Sequence, residues 1–101
     1  MDFRHLLEQA KNLEKAMSDL DARLKDHESE GSAGSGAVTV RVNGDGDVTA
    51  LQIDPELVAS NDAELVRDTV LAALRQATQA ARAFREEQRA ELTGGLKLPE
   101  F

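Results

Sequence analysis

Apolar residues follow two periods along the chain, one typical of helices and one typical of strands. In the first third they recur at alternating spacings of three and four residues, the a/d pattern of a coiled coil. These positions are Phe3, Leu6, Ala10, Leu13, Met17, Leu20 and Leu24. Since neither Gly nor Pro occurs before residue 31, the pattern predicts one long helix over residues 2–28. The alternative is an amphipathic helix on an ordinary core, but a helix of about 40 Å is long for such a domain, so we expect it to project or to pack along another long helix.

The middle of the chain predicts a β-hairpin. Residues 37–42 alternate between apolar and polar, residues 43–47 contain the turn-forming pair Asn-Gly, and residues 48–53 form a return strand. The apolar residues on one face of the first strand are Val38, Val40 and Val42. The residues expected on the opposite face of the hairpin are Thr49, Leu51 and Ile53. We expect the valine face to lie under a helix, because a hairpin alone is unstable in water, and the opposite face to meet a second subunit.

The C-terminal half predicts a second long helix, preceded by a short one. Pro55 ends the return strand and suits the first position of a helical turn over residues 56–59. An Ala-rich apolar stripe with helical spacing then predicts a helix over residues 62–91, and its small side chains permit close packing. The pair Gly94-Gly95 is a helix stop signal, so residues 93–101 are expected to form a flexible tail.

Length and composition limit the classes of protein that fit. The chain has 101 residues and no Cys, which indicates a single domain, residues 1–101, without disulfides or thiolate metal sites. No apolar run approaches the roughly 20 residues that span a bilayer, and the acid at position 2 argues against a signal peptide. We therefore predict a cytoplasmic protein with no cofactor, no metal, no membrane contact and no small-molecule substrate.

The apolar residues are of a kind that favours a homodimer. The chain has three Phe and no Trp or Tyr, so large core anchors are scarce and a lone domain would have little stability to spare. Leu, Val and Ala suit helix seams better than a thick core. The positions predicted to build the core and the dimer contact are Leu6, Leu13, Met17, Leu20, Val38, Val40, Val42, Leu51 and Ile53.

Three features that could suggest other chemistry are weak. The small-residue stretch 30–36 is not followed by the Lys-Ser/Thr of a phosphate-binding loop. The acidic turn 43–47 lacks the sixth-position Gly and the distant Glu of a calcium loop. Two His–Glu pairs at helical spacing, His5 with Glu8 and His27 with Glu30, are more often surface hydrogen bonds than general bases. We therefore expect no enzyme.

Five segments spread over nearly the whole chain form a recognisable pattern. They are FRHLLEQA near the start, GSAGSG before the hairpin, VTVRVNGDGDVTALQIDPELV through it, DAELVRDTVLAAL at the start of the second long helix, and LTGGLKLP near the end. The hairpin segment and the C-terminal segment are specific in combination, whereas neither helix alone would mean much. In this combination the chain resembles the YbaB/EbfC family of bacterial nucleoid-associated DNA-binding proteins.

The resemblance implies an α+β fold of order α-β-β-β-α, in which two long helices flank a small antiparallel sheet. It places a first strand near residues 28–34, which the apolar pattern alone does not predict. It further implies an intertwined, tweezer-like homodimer with a continuous sheet, located at the nucleoid, that binds DNA with little sequence preference. No catalytic activity is attached to the family.

The basic residues that could meet DNA lie on the two long helices. On the second helix they are Arg75, Arg82, Arg85 and Arg89, and on the first they are Arg4, Lys11 and Lys15. Arginine donates paired hydrogen bonds to phosphates, and such contacts position a protein without reading sequence. No sequence-reading motif is present. We therefore predict double-stranded DNA, bound through its backbone and sensitive to salt, with an influence on nucleoid organisation and gene expression.

The formal net charge of -7 opposes this interpretation, because phosphate binding is normally driven by basic residues. The alternative for each arginine is that it lies on a solvated helix face and forms an ion pair along the helix, as Arg82 could with Glu86. For the protein, the alternative is an acidic homodimeric interaction module of the same fold that binds a basic protein partner rather than DNA.

Overall fold

Three antiparallel strands connect two long helices in the computed structural model, which describes residues 2–96 and the side chains of residues 2–92. The elements are α1 (Phe3–Asp26), β1 (Glu28–Ala33), β2 (Val38–Asn43), β3 (Val48–Ile53), α2 (Pro55–Ala59) and α3 (Ala63–Leu96). This order confirms the α+β class and the α-β-β-β-α arrangement, with the short α2 inserted before the last helix.

The ends of α1 are set by hydrogen bonds at its two caps. The Asp2 carboxylate accepts a hydrogen bond from the backbone N–H of Arg4 at 3.1 Å, which satisfies one of the free donors of the first turn. At the other end, the N–H of His27 donates to the carbonyl of Arg23 at 3.0 Å. The helix ends two residues earlier than predicted, because Glu28 already belongs to β1 and pairs with Asn43.

The register of the sheet corrects the predicted faces of the hairpin. The strand order is β1-β2-β3, and residues opposite each other in an antiparallel pair point to the same side. Leu51 lies opposite Val40, and Ile53 lies opposite Val38. The prediction that Leu51 and Ile53 lie on the far side from the valines is therefore wrong. A register shift between Arg41 and Val42 adds one residue to β3. Counting alternate residues back from the turn therefore assigns Leu51 and Ile53 to the wrong face of the sheet.

The core lies between α3 and one face of the sheet, the inner face. Helix α3 lies over β1 and β2. At Gly31 the helix approaches so closely that an added Cβ would overlap the carbonyl oxygen of Ala73 and the nitrogen of Ala77. The buried hydrophobic residues of this layer are Val38, Val40, Val42, Ala73, Ala77 and Ala81. A glycine in the strand and alanines in the helix thus bring the two backbones together in a thin core.

Helix α3 is longer than the apolar pattern predicts. It continues through Gly94-Gly95 to Leu96, so the predicted stop at this pair is wrong. A helical Gly costs about 1 kcal/mol relative to Ala, which weakens a helix without forbidding it. Of the predicted tail 93–101, residues 97–101 lie outside the described residues.

The long helices project from the sheet and give the chain an extended shape. The principal extents are 70 × 25 × 16 Å, and the radius of gyration is 19.7 Å, against about 13 Å for a compact domain of this length. Near its C-terminal end, α1 buries Leu20 and Leu24. Along the rest of the helix, the predicted seam residues Phe3, Leu6, Leu13 and Met17 are exposed in the single chain.

Candidate nucleic-acid interface

Charge is distributed unevenly between the helices and the sheet region. Each long helix carries five basic and five acidic side chains and is formally neutral. Residues 27–62, which contain the sheet, its turns and α2, carry seven acidic side chains and one arginine. The acidic excess of the protein therefore lies mainly outside the long helices, and net charge alone does not describe their surfaces.

One flank of α3 carries a continuous row of hydrogen-bond donors. Its members follow one another at spacings of three and four residues and are Arg75, Thr78, Arg82, Arg85 and Arg89. We call this row the arginine stripe. From Arg75 to Arg89 it spans 14 residue steps, and therefore about 21 Å of helix. Residues 69–85 contain three arginines and no Asp or Glu, so this part of the stripe is not neutralised along its own helix.

The middle of the arginine stripe, from Thr78 to Arg85, lies on the side of α3 that faces the β2–β3 turn. On a different side of the helix, the Gln76 Oε1 atom accepts a hydrogen bond from the Ser32 backbone N–H of β1 at 2.6 Å. Toward the turn, a cleft of about 180 Å³ lies between the turn and the helix. Its lining residues are Gly44, Gly46, Thr78, Ala81, Arg82 and Arg85.

A second hollow continues along the arginine stripe. It has a volume of about 270 Å³ and is lined by Leu74, Arg75, Thr78, Gln79 and Arg82. Thr78 and Arg82 line both hollows. The two hollows therefore adjoin, and three arginines, Arg75, Arg82 and Arg85, lie in their combined wall among apolar and uncharged residues.

Several arginines of the stripe lack the ion-pair partners that other arginines of the chain have. Arg41 pairs with Glu28 at 3.4 Å, and Arg67 pairs with Asp68 at 3.1 Å. By contrast, the side chains of Arg75, Arg82 and Arg85 form no hydrogen bond or ion pair with the residues that the structure describes. The alternative pair between Arg82 and Glu86 is accordingly not formed there, and these guanidinium groups retain their donors for a ligand. Arg89, in contrast, has an interaction partner.

The basic residues predicted on α1 lie apart from the arginine stripe. Arg4, Lys11 and Lys15 are exposed, and α1 packs on the rest of the chain near Leu20 and Leu24. One chain therefore does not bring both basic groups together. The charge pattern of the sequence also did not identify Thr78, Gly44 and Gly46 as site residues, because they carry no charge. The only local signal for Thr78 is its position in the three-four spacing of the arginines.

The histidines make contacts other than the predicted His–Glu pairs. His5 Nε2 lies 3.4 Å from the side-chain nitrogen of Gln9, and His27 Nε2 lies 3.1 Å from the Ser29 hydroxyl. Within residues 2–96, no group of three or more His, Asp or Glu side chains could hold a metal ion. No helix in that range is both long enough and apolar enough to cross a membrane.

Known proteins resemble this chain over almost its whole length. It is 41% identical over 99 residues to a nucleoid-associated protein of Anaeromyxobacter dehalogenans, covering 98% of this chain and 96% of that protein. It is 39% identical over 94 residues to a nucleoid-associated protein of Granulibacter bethesdensis, covering 93% and 88%. The crystal structure of an uncharacterised Helicobacter pylori protein matches with a TM-score of 0.72 and 31% identity, covering 95% of this chain and 97% of that one. The model of the YbaB/EbfC DNA-binding family matches residues 1–96, and the chain therefore belongs to this family.

Proposed function

We propose that this protein is a nucleoid-associated protein that binds double-stranded DNA through its phosphate backbone with little sequence preference. By binding along the chromosome it influences nucleoid organisation and gene expression. The observation that carries the proposal is the acid-free part of α3, residues 69–85, where the side chains of Arg75, Arg82 and Arg85 have no hydrogen-bond or ion-pair partner among the described residues.

The dimensions of the arginine stripe suit a DNA backbone. At about 1.5 Å per residue the stripe is about 21 Å long, and each DNA strand carries one phosphate per about 3.4 Å of helix axis. The stripe thus runs past about six phosphates. Guanidinium groups donate paired hydrogen bonds to phosphate oxygens, and these contacts are the same for every base sequence. Such an interface fixes the position of the protein on the duplex without selecting a site.

A second copy of the chain completes the functional unit. Large apolar side chains are exposed at Phe3 (71%), Met17 (53%), Val48 (54%) and Leu51 (51%). Exposed apolar residues of this kind, when they cluster, mark an interface with another protein. On the inner face of the sheet, α3 packs mainly over β1 and β2, and Val48 and Leu51 of β3 stay exposed beside the core. A homodimer covers this surface and doubles the number of arginines that face DNA.

A second candidate function follows from the acidic region. Residues 27–62 carry seven acidic side chains and one arginine, a surface that complements a basic protein. In this alternative the same homodimer binds a basic protein partner, and the arginine stripe is a solvated helix face.

Titration of a fluorescent DNA duplex at about 50 mM salt distinguishes the two functions. The double variant Arg75→Gln/Arg82→Gln removes two free guanidinium groups per chain, and we expect affinity to fall by at least about tenfold. The matched control, Arg41→Gln/Arg67→Gln, removes the same net charge from arginines that are already ion-paired. We expect this control to bind nearly as tightly as the original protein, and two duplexes of unrelated sequence to bind alike. Equal losses in both variants, or no binding by an intact dimer, would contradict backbone binding through the stripe.

A further inference from the structure

The cleft between the β2–β3 turn and α3 is a half-open hollow with one wall formed by the turn and the other by the helix. Its turn wall is held by hydrogen bonds: the Asn43 Oδ1 atom accepts from the backbone N–H groups of Asp45 at 3.0 Å and Asp47 at 2.9 Å. The Gly44 N–H donates to the Leu24 carbonyl at 2.7 Å, which ties the turn to the end of α1. An ordered turn therefore faces a rigid helix across the cleft.

The side chains of the helix wall supply hydrogen-bond donors and positive charge. Arg82 and Arg85 contribute two guanidinium groups, and Thr78 contributes a hydroxyl group. None of these three side chains makes a hydrogen bond to another residue in the described part of the chain. Donors of this kind, two of them permanently charged, select an oxyanion with several acceptor oxygens, and phosphate is such a group.

Glycine keeps the mouth of the cleft open on the turn side. A Cβ at Gly46 would lie 4.0 Å from the Arg85 Nη1 atom, so a larger side chain here would extend toward the guanidinium group. Gly46 also has a φ of +94°, a conformation that glycine adopts without strain. The volume of about 180 Å³ holds a phosphate group with several waters, since one water takes about 30 Å³ in the liquid.

The same turn carries two aspartates, which are the sequence neighbours of the lining residue Gly46 but do not themselves line the cleft. Asp45 and Asp47 flank Gly46 in the sequence, and both are exposed. Adjacent residues lie within about 4 Å of each other along the backbone, well inside the screening length of about 10 Å at 0.1 M salt. A phosphate that enters the cleft is therefore attracted by Arg82 and Arg85 and repelled by the turn.

We propose that this cleft binds one phosphate group of the DNA backbone, and that the carboxylates of Asp45 and Asp47 weaken that binding. The inference rests on the proposed function. It adds a defined contact point for one phosphate, and two carboxylates that limit the affinity for DNA. The turn acids hold the affinity of the arginine stripe below what its charge alone would give. Weaker binding shortens the residence time of the protein on DNA.

Duplex titration with three variants tests the cleft. Asp45→Asn/Asp47→Asn removes the repulsion while keeping the turn backbone, and we expect threefold to tenfold tighter binding. Glu56→Gln/Glu64→Gln changes net charge equally at exposed positions outside the cleft lining, and we expect less than a twofold change. Thr78→Val removes the hydroxyl at nearly constant shape, and we expect affinity to fall about threefold to fivefold. Equal effects of the two acid-neutralising variants together with an unchanged Thr78→Val affinity would overturn the proposal.

A second measurement separates failure of the cleft from failure of DNA binding. Backbone amide spectra of the full-length chain are recorded with millimolar inorganic phosphate, against sodium chloride of equal ionic strength. We expect phosphate-specific shifts at Gly44, Gly46 and Thr78. Duplex binding without these shifts and without variant effects overturns the cleft alone. The shifts without duplex binding support an anion site and overturn the proposed function, and the absence of both overturns the two proposals together.

Discussion

The imidazole ring of His27 lies flat against the phenyl ring of Phe84, with ring centroids 3.5 Å apart and an angle of 7° between the planes. His27 is the C-cap of α1, and its Nε2 atom lies 3.1 Å from the Ser29 hydroxyl of β1. Phe84 belongs to α3. One histidine side chain thus connects the end of the first helix, the start of the sheet and the last helix, close to where both long helices leave the body.

This ring contact predicts energetic coupling between the two residues. We expect the single variants His27→Ala and Phe84→Ala to destabilise the fold, and the double variant to lose less free energy of unfolding than the two together. The coupling should be about 0.5–1.5 kcal/mol, the usual contribution of a stacked ring pair. Urea unfolding at one fixed protein concentration measures it, since the stability of the proposed dimer would depend on concentration. Strictly additive losses would show that the stack does not connect the elements.

The close approach of α3 to β1 predicts a cost for the smallest side chain at Gly31. Because a Cβ there overlaps the backbone of Ala73 and Ala77, we expect Gly31→Ala to lower the free energy of unfolding by about 1–3 kcal/mol. Ser32→Ala is the control, since Ser32 is exposed on the other face of the same strand, and it should change stability by less than about 0.5 kcal/mol. Similar stability of both variants in urea would contradict the close packing.

The exposed seam of α1 predicts a dimer that polar substitutions disrupt. We expect light scattering to give twice the mass of one chain for the original protein. Leu13→Lys/Met17→Lys places charges on the apolar seam and should shift the mass toward the monomer. Asn12→Lys/Ser18→Lys adds the same charge at polar positions of the same helix and should leave the dimer intact. A monomeric original protein, or equal dissociation of both variants, would exclude α1 as the dimer contact.

Those parts of the fold with a strong local period could be predicted from the sequence, and β1 could not. The seam of α1, the alternation of β2 and the apolar stripe of α3 each identify an element. Strand β1 reads ESEGSA and has no apolar alternation. It becomes a strand because β2 offers a backbone edge and because Gly31 lets α3 lie on it. The face of Leu51 likewise required the cross-strand register, which a bulge shifts.

For the candidate site, the arginines could be found from sequence and the cleft could not. Arg75, Arg82 and Arg89 repeat every seven residues, a spacing that places them on one helix face whatever the rest of the chain does. The cleft exists because Gly46 in a turn comes next to Thr78 and Arg85 in a distant helix. Such proximity depends on tertiary packing, and no local pattern of residues encodes it.

The salt dependence of duplex binding by the proposed dimer tests backbone recognition most directly. Each phosphate neutralised by the protein adds about 0.9 to the slope of log affinity against log salt concentration, so about six contacts weaken binding by about 10³ between 50 and 200 mM salt. We predict a loss of this order, measured by fluorescence titration with the dimer confirmed by light scattering. Affinity that is unchanged over this range, or no binding at 50 mM salt, would contradict the account.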